Sequence, residues 1–451
     1  MSGALVAGDA SRTFVGVSID TRTLKNGELY VAIRGERFDG ADFVEQALEA
    51  GAAGVVVPRG RGPARRTGAV VIEVDDTTTA LQALGRAVRI ESGSTVVAIT
   101  GSAGKTTTKE VTAEFLATRY RVMRNRGNLN NHIGLPLSLV DLRRRPEVAV
   151  VELGMNHPGE IATLVAIAEP EIRVWTNVGE AHLGFFASVE EIADAKAELL
   201  DGARASDVLV ANADDDRIVA RAGRFAGRVV TFGIDRRADV QAIDVVDRGI
   251  EGTRARVTTP RGDAELRIPL VGRGNLANVL AATAVGLELN VPVDAIAAAA
   301  ATLRPAAHRG EVVRLSNGVT IVDDSYNANP DAMRRALDVL RASPAARRVA
   351  VLGEMLELGE RSAALHEEIG RAAARAGVDL VLAVGGDPAA AIVTGARAAG
   401  LAPDRVRYVQ STDEAADAAA ALVRPGDLVL VKGSRGVRTD RVVERLKAEF
   451  G

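Results

Sequence analysis

The sequence predicts an α/β protein of three domains: a small N-terminal α/β domain, a central domain with a parallel or mixed sheet around a phosphate loop, and a C-terminal domain with a Rossmann-like, doubly wound sheet. Three observations predict it. The chain has 451 residues, too many for one ordinary core. Short apolar runs alternate with helical patterns along most of its length, as in strand–helix–strand units. Finally, the apolar stretch VVAIT runs into GSAGKTT at 101–107 and then into KEVTAEFLA, which is the strand, glycine loop and helix of a nucleotide-phosphate cradle.

Each domain follows from its own pattern. Residues 1–90 contain a strand pattern at 29–33, a helix over 43–50, a strand at 54–57 and a Gly/Pro/Arg-rich loop over 58–68. Residues 91–311 open on the strand 95–100 and end near the turn at 305–310. In residues 312–451 the apolar runs 319–322, 349–352, 380–384 and 428–431 are separated by helical patterns such as 330–341, which is how a doubly wound sheet reads. The alanine-rich stretches 297–301 and 415–421 fit helix interiors.

Composition excludes several classes. A hydrophobic fraction of 47% with 25% charged residues belongs to a globular chain. No apolar run approaches the length of a membrane span, and the first residues lack a basic start and an apolar core, so a cytoplasmic protein without membrane insertion is expected. With zero cysteines, any metal must sit on oxygen or histidine, which points to hard cations such as magnesium. A net charge of −3 argues against a general nucleic-acid binder, and Arg143, Arg144 and Arg145 read as a solvated loop before Pro146. Of 56 basic residues only six are lysine, so Lys105, Lys196 and Lys432 point weakly to chemistry that needs an amine.

The loop residues have mechanical reasons to be what they are. Gly101 and Gly104, with Ser102 and Ala103 between them, let backbone amides turn onto phosphate; Lys105 reaches the outer phosphates; the Thr106 hydroxyl, next to Thr107, can ligate magnesium. The general pattern has another glycine where this chain has Ile99. Further on, VVELGMNHPGEI places Glu152 at a strand end, NVGEAHLGFF supplies His182 and EEIADAKAELL supplies Lys196. Taken singly, Glu152 also fits a strand-end salt bridge, His182 a capping or core histidine, and Lys196 an exposed helix lysine.

TGSAGKTTTKE resembles the ATP loop of the Mur ligases, in which an apolar residue at position 99 is normal, and the resemblance extends over essentially the whole chain. It implies an ATP-dependent peptide ligase in which Thr106 and Glu152 help hold one Mg2+ while His182 and a carbamylated Lys196 help hold a second. A carbamate forms only from the neutral amine, and neutralising an ordinary lysine at pH 7 costs roughly 4 to 5 kcal/mol, which burial and neighbouring cations must supply. Lys105, Glu152, His182, Lys196 and Arg309 are then the catalytic set, with Arg309 reaching the transferring phosphate or, alternatively, forming an interdomain salt bridge.

The same resemblance assigns substrates. TRTLKNGELYVAIRGERFDGADF looks like the family's UDP-sugar entrance, with Asp20-Thr21-Arg22 for the usual Asp-Ser-Arg and Ala41 for the usual histidine; Thr21 and Arg22 are the candidate contacts. Asn128, Asn130 and Asn131 suit a sugar-peptide beside the phosphates, or turn chemistry next to Gly127 and Gly134. Asn275 and Asn278 match the stretch that contacts the nucleotide base, although Gly274 replaces a common histidine. VDDSYNANPDAMRRAL and VLGEMLELGERS look like the dipeptide-adding member, which joins D-alanyl-D-alanine to UDP-N-acetylmuramoyl-tripeptide through an acyl phosphate; the Asp-Asn-Pro-Arg mark of the diaminopimelate-adding member is absent. Asp324, Asn327 and Asn329 are placed near amine and nucleotide, and Lys432 and Arg435 near a carboxylate. Such a ligase is expected to act as a monomer on small molecules. The alternatives are the diaminopimelate- or lysine-adding ligase and a non-catalytic binding module of the same fold.

Overall fold

A computed structural model of the chain describes residues 3–64, 68–125, 127–181 and 183–451. It divides into two compact units: Met1–Ala98, Tyr120–Arg173 and Asp201–Asp207 make the first, and Ile99–Arg119, Val174–Leu200 and Val208–Gly451 the second. These units interleave along the chain because the strands Thr95–Thr100 and Ile172–Trp175 each begin in the first and end in the second. The boundary expected at 90 falls inside the helix Thr77–Ser92.

In the first unit a five-stranded sheet has the order Gly3–Ala7, Val70–Val74, Gly54–Pro58, Leu29–Val31, Val17–Ser18, antiparallel at the first pair and parallel thereafter. Successive residues of Leu29–Val31 face opposite sides: Leu29 and Val31 pack with Val56 and Leu81, while Tyr30 packs with Val55, Val57 and Ala47. Cover on both faces explains the unbroken apolar runs. The helix expected over 43–50 is a 3-10 turn, Gly40–Phe43, followed by a short α-helix, Val44–Glu49; Asp39 starts the turn by accepting from the Ala41 amide at 2.9 Å. The parallel strands all point the same way, so 19–22 and 32–43 leave the sheet at its carboxyl edge, where open α/β sheets bind ligands. This unit also holds the parallel pair Val122–Arg124 and Val148–Glu152.

In the second unit the end of Ile172–Trp175 is followed across a mixed sheet by Val208–Asn212, Arg228–Gly233, Val240–Asp247, Thr253–Thr258 and Ala264–Ile268; the last two strands are antiparallel additions. Thr176 donates its amide to Thr100 O at 3.0 Å, so the chain segments that leave these two strands, 101–104 and 176–179, emerge side by side. The C-terminal sheet has the order Glu311–Arg314, Thr320–Asp323, Asp427–Lys432, Arg347–Gly353, Leu380–Val384, Val406–Val409, parallel except at its first edge. Its four expected strands are all present. The two edge strands, Glu311–Arg314 and Val406–Val409, carry too few apolar residues to show a run. Among the described residues no helix is long and apolar enough to cross a membrane.

Two helices of this domain, Ser362–Arg375 and Asp387–Ala398, approach backbone to backbone. A Cβ on Gly395 would overlap Glu367 O, and one on Gly370 would overlap Ile392 O. Alanine would gain up to about 1 kcal/mol of helix propensity, but the overlap with rigid backbone costs more, about 1–3 kcal/mol. We therefore expect Gly395→Ala to lower the unfolding midpoint in a thermal melt; a rise would show that the helices are not this close.

Candidate active site

The phosphate loop takes its shape from its neighbours. Gly101 and Gly104 have φ of 155° and 80°, in the region that favours glycine. Crowding excludes a side chain at both: a Cβ on Gly101 would overlap Thr176 Oγ1 and one on Gly104 would overlap Asn278 Oδ1. Residues 176–179 then hold the loop from one side. Asn177 Oδ1 accepts from the Ala103 amide at 2.8 Å and its Nδ2 donates to Ala103 O at 2.9 Å. The Gly179 amide donates to Ser102 Oγ at 2.9 Å, and Ser102 donates to Gly179 O at 3.2 Å. Helix Lys105–Ala117 starts after Gly104, and a glycine at the N-cap supplies no side-chain oxygen of its own, which suits an anion in that role. Lys105 Nζ donates to Gly101 O at 2.8 Å, with Thr106 and Thr107 half-buried in the same first turn.

Lys196 is not an exposed helix lysine. It lies in the last turn of Val189–Ala197, a helix begun by Ser188 accepting from the Glu191 amide, and it is 1% exposed. Burial, and then the charge of Lys105, push its pKa well below the usual lysine value. A buried amine facing another cation is the environment a carbamate requires. His182 lies outside the described residues. Among the described residues no group of three or more His, Asp or Glu forms a ready-made metal cage. The expected ligand set does not need one, since it draws on a threonine and a modified lysine as well.

In the first unit Glu152 is 3% exposed at the end of its strand. Its Oε1 accepts from Asn130 Nδ2 at 2.8 Å and its amide donates to Asn125 Oδ1 at 3.0 Å. Asn130 therefore orients the carboxylate. Asn131 Oδ1 accepts from the Gly134 amide at 2.8 Å, which is turn chemistry, and Asn128 is exposed. At the carboxyl edge of the five-stranded sheet Asp20 binds Arg22 Nη2 at 2.6 Å, while Thr21 donates to Gln46 Oε1 at 3.2 Å. Burial and the charges of Asp20 and Asp39 push Tyr30 up to about 12, so its hydroxyl keeps its proton and donates to Gly40 O at 2.9 Å.

The remaining candidates lie in the second unit. Asn278 Nδ2 donates to Asn275 Oδ1 at 3.1 Å, which fixes the amide that crowds Gly104. The Arg309 guanidinium sits 3.9 Å from the centre of the Tyr326 ring. Lys432, 3% exposed, donates to Asp324 Oδ2 at 2.6 Å and to Asn327 O at 3.0 Å. Asn327 Oδ1 accepts from the Ala328 amide at 2.9 Å, and Asn329 caps the helix Pro330–Ala342 by accepting from Ala332 at 2.8 Å. Arg435 is exposed, 5.6 Å from the Tyr326 ring centre.

Family models match three stretches: 13–89 as Mur ligase family, catalytic domain; 99–286 as Mur ligase middle domain; and 308–435 as Mur ligase, glutamate ligase domain. The UDP-N-acetylmuramoyl-tripeptide–D-alanyl-D-alanine ligase of Bacillus subtilis is 35% identical over 432 residues, 96% of this chain and 93% of that one. The chain belongs to the Mur ligase family. A crystal structure of MurF from Acinetobacter baumannii matches this Mur ligase with a TM-score of 0.86 and 31% identity over 96% of this chain and 93% of the other. That of MurF from Thermotoga maritima in complex with ADP gives 0.85 and 31%, covering 96% and 97%. The three-domain α/β architecture is that of these relatives.

Several residues that organise the site of this Mur ligase carry no signal of their own in the sequence. Thr176 and Asn177 shape the phosphate loop from a separate strand end. Glu180 accepts from Arg334 at 3.3 Å and from Arg361 at 3.2 Å, and its amide donates to Asp331 at 3.2 Å, joining the loop after Gly179 to the helix Pro330–Ala342. His366, 0% exposed, accepts on Nε2 from the Met355 amide at 2.9 Å and donates from Nδ1 to Ser362 O at 2.7 Å. Those partners require a neutral ring. It fixes the segment 355–359, whose Glu357 O accepts from Gly184 at 2.7 Å.

Burial holds the His366 pKa below the usual 6.5. The unfolded chain takes up its proton near 6.5 and the folded one only lower, so stability is present above 6.5 and falls as pH drops through the folded value. Urea titrations from pH 7 to 5 should show this Mur ligase losing more stability than its His366→Gln variant. Parallel curves would mean that His366 charges without cost.

Proposed function

We propose that this Mur ligase joins D-alanyl-D-alanine to UDP-N-acetylmuramoyl-tripeptide at the expense of ATP, in the cytoplasm and as a monomer. The observation that carries the reading is the phosphate loop held by Thr176, Asn177 and Asn278 beside a buried Lys196, in a chain whose relatives, B. subtilis included, bear that ligase name over nearly their whole length. The ADP complex of the T. maritima protein supports a nucleotide at the loop. The domain limits 1–90, 91–311 and 312–451 belong to the same proposal, and the three matched stretches fall within them apart from residues 308–311.

In this mechanism the tripeptide carboxylate attacks the γ-phosphorus of ATP, the bond to ADP breaks, and an acyl phosphate forms. The dipeptide amine then adds to the acyl carbon, loses a proton, and expels phosphate. Magnesium, when bound, supplies the charge that screens carboxylate from phosphate. The Thr106 hydroxyl and the Glu152 carboxylate are proposed to help hold one ion, and the His182 imidazole and the carbamate of Lys196 a second. Hard oxygen donors fit that ion, and Asn130 keeps one Glu152 oxygen oriented through a 2.8 Å hydrogen bond. Loop amides and Lys105 bind the phosphates, and Arg309 stabilises charge on the transferring group. Asn275 and Asn278 face the nucleotide, while Thr21, Arg22, Asn128, Asn130 and Asn131 contact the UDP-sugar-peptide. Asp324, Asn327, Asn329, Lys432 and Arg435 frame the amine side.

Phosphate release is to be followed with ATP and the UDP-linked tripeptide plus D-alanyl-D-alanine, diaminopimelate, glutamate or no amine, with mass spectrometry of the product. Turnover with the dipeptide alone is expected. Turnover with another amine moves the chain to a sister ligase, and silence with all four overturns the reading. Separately, Lys196→Ala should abolish ligation, and a small carboxylate in the buffer should restore part of it; full activity in the variant would remove the carbamate from the mechanism.

A further inference from the structure

We propose that Tyr326 is a positioning residue for ligation, its aromatic face orienting the guanidinium of Arg309 towards the transferring phosphate and drawing Arg435 to the same place. The proposal rests on the ligase reading above. Both cations lie within the range of a cation–π interaction, at 3.9 Å and 5.6 Å from the ring centre. A planar guanidinium stacks on a ring where an ammonium would sit as a point charge, so the ring fixes direction as well as place.

Ring and arginine are each pinned from the backbone. The Tyr326 amide donates to His308 O at 3.1 Å, which ties the ring to the residue just before Arg309. His308 has a φ of 61°, and its Nδ1 meets Asp323 Oδ2 at 2.8 Å. Asp323, 0% exposed, also accepts from Ser325 Oγ at 2.6 Å. On the other side Asp324 is held by Lys432. Residues 323–326 and 308–309 thus form one braced piece, and the long Arg309 side chain is the part that would otherwise sample many rotamers. Two guanidiniums repel each other; the negative face of one ring offsets that repulsion and concentrates positive charge where an anionic transition state needs it.

The test is kinetic. Tyr326→Phe and Tyr326→Trp keep the aromatic face and should stay within about twofold of the parent, whereas Tyr326→Leu should lower kcat about tenfold with little change in the KM for ATP. In an Arg309→Gln background Tyr326→Leu should add less than about twofold, because the group it orients is gone. Loss with Phe as large as with Leu, no loss with Leu, or additive losses would each overturn the proposal. If the parent protein turns over no amine, the ligase reading fails and NMR still decides the stack: the Arg309 δ-methylene protons, assigned through Arg309→Lys, should be shifted upfield in the parent and in Tyr326→Phe but not in Tyr326→Leu. Unshifted parent resonances would overturn it.

Discussion

Between Gly101 and Gly104 the backbone passes closer to Thr176 and Asn278 than a Cβ permits, and the amides that must face a phosphate are set by that approach. Glycine is needed there for two reasons that act together. Its φ lies where other residues are strained, and its missing side chain makes room for the groups that hold the loop. Asn177 adds a two-way bond to Ala103, so the loop is a fixed object before any nucleotide arrives. A preorganised cradle does not have to be ordered at the moment of binding, and that is where its advantage lies.

Charge is arranged on the same principle of prior commitment. In a chain that uses arginine almost everywhere, three of the six lysines, Lys109, Lys196 and Lys432, are buried, and the last two have opposite surroundings. Lys432 meets the Asp324 carboxylate at 2.6 Å and braces the segment that carries Tyr326 and Asn327. Lys196 is buried with Lys105 as its charged neighbour, and burial first, then that charge, disfavour its ammonium. Burial alone would not separate these roles; the sign of the neighbouring charge does.

What could be read from the sequence follows the same division between local and distant causes. The glycine loop, the parallel strands with unbroken apolar runs and helices such as Pro330–Ala342 are set by residues close in the chain, and they stood out. The edge strands Glu311–Arg314 and Val406–Val409 did not, because a strand solvated on one side needs few apolar residues. Thr176, Asn177 and Glu180 follow a strand whose own pattern says nothing of the loop 74 residues earlier that Asn177 holds. For Asn131 substrate contact and turn chemistry both fit the sequence, and Asn329 reads as a substrate contact; each has its oxygen on a helix-end amide, a role spacing cannot separate from a ligand contact because an asparagine before a helix serves either purpose.

Bond strengths within the second unit also differ by location in a way that bears on its chemistry. Lys432–Asp324 and His308–Asp323 each place one partner at 3% exposure or less, and they brace the segment 323–327 from both ends. The link from the phosphate loop to the helix Pro330–Ala342 instead runs through Glu180, with its arginine partners 36% and 57% exposed. Exposed ion pairs of that kind contribute roughly 0–1 kcal/mol each and weaken with salt. Because Ser102, Gly179 and Glu180 are consecutive in that link, it begins at the loop itself. The second unit therefore has braced segments around Tyr326 and around the phosphate loop with a junction of modest strength between them, and in the proposed reaction the binding energy of a substrate that touches both segments can compete with the junction without disturbing either.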